Sequence, residues 1–168
     1  MKIAITWGPK NSAAKNTVRA ADLEGALSVL EGLDEWGLFE GDFDYKWLGD
    51  PKGNVTAVVV KPTYTITMPY WAAVAKQPPA CKKEWERMCA CLRKHEDGHR
   101  DIFVKGIADL EKQLKCMKSA TGAEIDDLME KTKTDIQSKH DSFDASTRHG
   151  QSQGVSLTIL DACRAKGS

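Results

Sequence analysis

From Trp85 to Met117 the apolar residues recur at spacings of three and four: Trp85, Met88, Cys89, Leu92, Ile102, Phe103, Ile107, Leu110, Leu114 and Met117. A strand, which repeats every two residues, cannot bring such a series to one side, whereas a helix of 3.6 residues per turn does so directly. The series begins soon after Pro78-Pro79 and predicts a helix over about 82–118 with one buried face. Thr121-Gly122-Ala123-Glu124 then has the form of a capping box, Thr121 at the N-cap and Glu124 three residues on. It opens a second helix whose stripe is Ile125, Leu128, Met129, Thr132, Ile136 and Phe143. The two helices are expected to pair as a hairpin whose stripes pack on a sheet.

That sheet is expected in the first half. Residues 2–7 alternate and are β-branched, and Phe43, Tyr45 and Trp47 stand at period two within 42–48. A turn at Asp50-Pro51-Lys52-Gly53-Asn54 leads to two further strands, 55–60 and 63–68, with Pro62 marking an edge or bulge between them. Residues 21–33 read as a short helix with Leu23, Leu27 and Leu30 on one face, and 155–160 as a strand or tail docking on the core. The expectation is a single α+β domain over 1–168. An antiparallel N-terminal sheet (about 1–78) packs on a C-terminal helical hairpin (79–168).

Composition narrows the function. Lys+Arg and Asp+Glu both number 24, so the chain has no net charge and lacks the basic face a nucleic-acid binder needs. No run approaches the roughly 18 apolar residues of a membrane span. Residues 1–7 lack the apolar core of a signal peptide, which leaves a cytoplasmic protein or a mature secreted domain. Five cysteines (Cys81, Cys89, Cys91, Cys116, Cys163) are too few for a disulfide scaffold, and their odd number leaves at least one thiol free or paired between molecules. Cys89 and Cys91 point different ways on a helix and are not expected to pair with each other.

Within the first predicted helix stands His95-Glu96-Asp97-Gly98-His99, an H-E-x-x-H string that four histidines in 168 residues seldom produce by chance. Residues four apart differ by about 40° in azimuth and one turn in height, so both imidazoles can converge on one ion. Glu96 stands beside them, placed to take a proton from an activated water. The competing reading is a pair of satisfied core histidines with Glu96 as their ion-pair partner. Gly98, which costs about 1 kcal/mol relative to alanine inside a helix, is either tolerated or leaves room beside the site.

A catalytic zinc takes three protein ligands and keeps one open position. Downstream candidates for the third are Glu124 with Asp127 three later, His140, Asp144 and His149. The capping box already explains Glu124. In a regular helix His149 would point about 180° away from His140, so it reaches the site only if the helix breaks within 144–147. Ser146 and Thr147 permit that break.

From about residue 15 to 160 the chain resembles a bacterial domain-of-unknown-function family described as predicted secreted zinc-dependent proteases. The resemblance rests on the strand-rich first half, Thr67-Met68-Pro69-Tyr70-Trp71, Trp85, the helix with Arg93-Lys94-His95-Glu96-Asp97-Gly98-His99, and the late Phe143-Asp144…Arg148-His149-Gly150 segment. It carries the late Asp and His of the family over to Asp144 and His149. The implied protein is a secreted or periplasmic zinc metallopeptidase acting on peptide or protein substrates. His95, His99 and His149 would hold Zn2+, with Glu96 as general base. Asp144 is then an acceptor behind a ligand or an alternative ligand, and Arg148 or His140 a transition-state stabiliser. The alternative is a non-catalytic cell-envelope interaction module with a structural or vestigial metal site.

Overall fold

The structure, a computed structural model, describes residues 1–8 and 10–163, apart from the side chains of 10–14 and 162. Its elements are β1 (Lys2–Ile5), β2 (Lys10–Val18), α1 (Leu23–Glu31), β3 (Leu38–Gly49), β4 (Val55–Trp71), α2 (Pro79–Cys116) and α3 (Gly122–Thr147). Short 3-10 turns lie at Ala72–Lys76, Gln151–Gln153 and Asp161–Cys163.

The class is α+β, but the antiparallel sheet on a C-terminal hairpin is not what forms. β4 is the hub of a four-stranded sheet of order β1-β4-β2, with β3 also paired to β4. β1 runs parallel to β4, in register from Lys2 opposite Ala57 to Ile5 opposite Val60. Alternation in residues 2–7 reports a half-buried strand and is silent on its direction. Parallel pairing needs a long connection, and everything from β2 to β3 lies between these two strands. Pro62 does not divide β4 either. The β1 ladder ends at Val60, and Pro62 contributes only its carbonyl, which accepts from the Gly8 N–H at 2.9 Å.

The helices occupy the middle of the element order, and a terminal segment follows them. At 1.5 Å per residue the 38 residues of α2 span about 57 Å, and the helix contributes to two compact units. The first comprises Met1–Ser12, Glu40–Thr65 and Gly98–Phe143. Phe43, Val58, Val60, Tyr64, Phe103, Ile107, Leu110, Leu114, Ile125, Met129 and Ile136 are buried there. Each such large apolar side chain contributes roughly 1.5–3 kcal/mol when fully buried. Trp7 stands edge-on to both Tyr64 and Phe103. The period-two face of β3 meets α3, where Tyr45 Oη and Trp47 Nε1 both donate to Asp126 Oδ1. The capping box forms as expected: the Thr121 N–H donates to Glu124 Oε2 at 2.8 Å and the Glu124 N–H to Thr121 Oγ1 at 3.3 Å.

The second unit comprises Ala13–Phe39, Ile66–Asp97 and the described residues from Asp144 onward. Asp22 caps α1 by accepting the Gly25 N–H, and Leu23, Ala26 and Leu30 enter a core with Trp71, Trp85, Met88 and Leu92. Trp71 Nε1 donates to the Ala20 carbonyl, satisfying the polar end of a buried indole. A disulfide joins Cys81 to Cys163, and Cys89, Cys91 and Cys116 are free thiols. Residues 155–160 form no strand; Val155 is buried, and Leu157 and Ile159 pack against the core as a docked tail. No helix among the described residues is long and apolar enough to cross a membrane.

Candidate metal centre

His95 and His99 fall on the buried stripe of α2 because Leu92 and Phe103, which flank them at helical spacing, are core residues. Both imidazoles are buried, one turn apart on the unbroken helix. Among the described residues they form, with Asp144 near the end of α3, a group of three whose ligand atoms all lie within 4.8 Å of one another. His95 Nε2 is 3.2 Å from Asp144 Oδ1. Two imidazoles and one carboxylate are a donor set that zinc accepts with a fourth position open, so these residues fit the ion.

The other ring nitrogens are engaged as well. His95 Nδ1 lies 3.1 Å from Gln153 Oε1, and His99 Nδ1 lies 2.8 Å from His140 Nδ1. Phe143 sets its ring edge-on against His99 at 5.0 Å. Room for that ring explains Gly98: a Cβ there would come within 2.5 Å of Phe143 Cζ. The glycine accommodates a side chain of α3.

Glu96 is buried beside His95. Loss of hydration raises its pKa to about 7, with the charges of Glu35 and Asp144 adding to the rise and a hydrogen bond from the Phe39 backbone N–H opposing it. A carboxyl group poised there exchanges protons near neutral pH.

The remaining expected residues are placed differently. α3 ends at Thr147, and Arg148 and His149 both take left-handed backbone conformations, with φ of 52° and 51°. The helix does break, but three residues past Asp144, and the His149 side chain is 81% exposed with Nδ1 4.0 Å from Asp144 Oδ1. Asp144, which stays on α3, joins the histidines; His149 stands outside the group. Arg148 is exposed. His140 is bonded to His99, and Glu124 is committed to its cap. Gln153, Glu35 and the Phe39 amide carried no sequence signal, since each acts only through a neighbour remote in the chain.

A protein-family model described as bacterial protein of unknown function (DUF922) matches residues 15–150. The chain belongs to that family. Membership in DUF922 covers His95, Glu96, His99, His140, Asp144 and His149, and the match ends before Gln153. The family description carries no activity, so the zinc-protease character expected from the resemblance does not come with membership. Comparison with curated proteins and with solved structures finds no match.

Proposed function

We propose that the chain is a zinc-dependent metallopeptidase of the cell exterior or periplasm, with His95, His99 and Asp144 holding the ion and Glu96 acting as general base. The observation that carries this reading is the convergence of two buried imidazoles and a carboxylate within 4.8 Å, beside a buried glutamate. A bound zinc would supply Lewis acidity, polarising a carbonyl and acidifying water. Glu96 would take the proton of the attacking water and deliver it to the departing amine. Burial of both histidines and of Glu96 excludes bulk water and strengthens every charge interaction among them. The Cys81–Cys163 disulfide supports an oxidising compartment.

Purified protein is expected to take up about one zinc per chain. Asp144→Ala should abolish stable uptake, whereas His149→Ala should leave it near that of the parent. Glu96→Gln should keep the zinc while peptide hydrolysis falls at least about 10²-fold. A chain that takes up no zinc would refute the metal site. Zinc bound with the same turnover in Glu96→Gln would refute the base. Zinc bound with no hydrolysis of any peptide would favour a structural metal in an interaction module.

A further inference from the structure

Beyond α3 the chain turns back on itself. Arg148, His149 and Gly150 are all left-handed, and at Gly150 (φ 80°) the backbone lies against His95, where a Cβ would come within 3.2 Å of its Cγ. The segment that follows is tied along one face of α2. Arg87 Nη1 donates to the Gly154 carbonyl at 2.9 Å and Nη2 to the Ser156 carbonyl at 2.7 Å. Glu84, which also binds Arg87, accepts the Thr158 N–H at 2.8 Å, and Cys163 is bonded to Cys81. Cys81, Glu84, Arg87 and His95 stand three, three and eight residues apart and fall within about 120° of azimuth, so four points on one side of α2 bind successive points of this strap. Gln153 reaches the same helix, with Oε1 3.1 Å from His95 Nδ1.

We infer that Gln153 is a positioning residue for a metal held at His95, an inference that rests on the metal-site reading above. An amide oxygen accepts only, so when Nε2 takes a metal, Gln153 holds the proton that stays on Nδ1. Nε2 is the atom that faces Asp144 Oδ1 at 3.2 Å, a separation that a metal ion would bridge in place of a proton. Imidazole ligands owe their tautomer, ring orientation and basicity to such a partner behind the ring. The strap holds Gln153 in place through the Arg87 and Glu84 bonds and the disulfide. The ligand class is a divalent transition ion with a preference for imidazole nitrogen.

The test is competitive zinc titration of the intact chain, with the visible spectrum of the cobalt-substituted protein as a second readout. Gln153→Ala should bind zinc about 10–100-fold more weakly and alter the cobalt spectrum, a loss larger than any fall in metal-free stability. Gln153→Glu, which keeps an acceptor at the same reach, should restore the affinity. Undiminished zinc affinity in Gln153→Ala overturns the inference while leaving the metal site standing. So does a loss that Gln153→Glu fails to restore, or one matched by an equal loss of metal-free stability. Parent protein that binds neither ion overturns the metal reading and this inference together.

Discussion

The surroundings of Glu96 oppose its charge: it is buried, and Glu35 and Asp144 both repel an added negative charge. In the metal-free chain this sets a pH dependence of known sign. Its folded pKa of about 7 exceeds the ordinary 4.5, so between these values the folded state binds the proton that the unfolded state has released. Stability therefore falls as pH rises through that window, by roughly 3 kcal/mol in all if this group acts alone. Glu96→Gln, isosteric and uncharged, should remove the dependence. With a chelator present, urea denaturation should find this variant more stable than the parent at pH 8, and the difference should vanish near pH 4. Equal stability at both pH values would show that the carboxyl is hydrated and ionised in the folded chain.

Between elements, the fit of α3 against α2 turns on one missing methyl. By helix propensity alone Gly98→Ala should stabilise α2 by about 1 kcal/mol. The added Cβ would instead overlap the Phe143 ring, which also buttresses His99. Overpacking of this kind costs about 1–3 kcal/mol. A net loss of stability is expected from denaturant unfolding, with a shift in zinc affinity because the His99 ring must move with its neighbour. A stabilised variant with unchanged zinc affinity would show that Phe143 yields freely and that Gly98 is only tolerated. The periodicity of α2 and α3 was readable in the sequence, as was the Thr121 cap, because each depends on residues three or four apart. The Phe143–Gly98 contact was not, since nothing in either local pattern names the other.

For the chain as a whole, the Cys81–Cys163 bond ties the terminal segment to the start of α2 and closes a loop of 82 residues. The chain-entropy account of such closures assigns about 4.5 kcal/mol to a loop of that length. Reduction by a phosphine should therefore lower the urea midpoint strongly, and the Cys81→Ala variant should show the same midpoint with and without reductant. An unchanged midpoint on reduction of the parent would mean that the Arg87 and Glu84 contacts hold the strap unaided. The expected division into a strand-rich first half and a helical second half described the order of elements along the chain. Each compact unit instead draws strands from the first half and helix from the second, because α2 is too long to serve a single core.

Local order was therefore determined by the sequence alone. It sufficed for the two long helices, the capping box, the α+β class, and the placement of His95 and His99 on one buried stripe. All of these rest on side chains within one or two turns of each other. Tertiary structure decided the parallel direction of β1 on β4, the union of two expected strands across Pro62, the partner of Cys81, and the choice of Asp144 over His149 beside the histidines. Each of these depends on where the chain returns after a long excursion. A helix that ends at Thr147, three residues past Asp144, holds that carboxylate at His95, while the left-handed turn that follows carries His149 out to solvent.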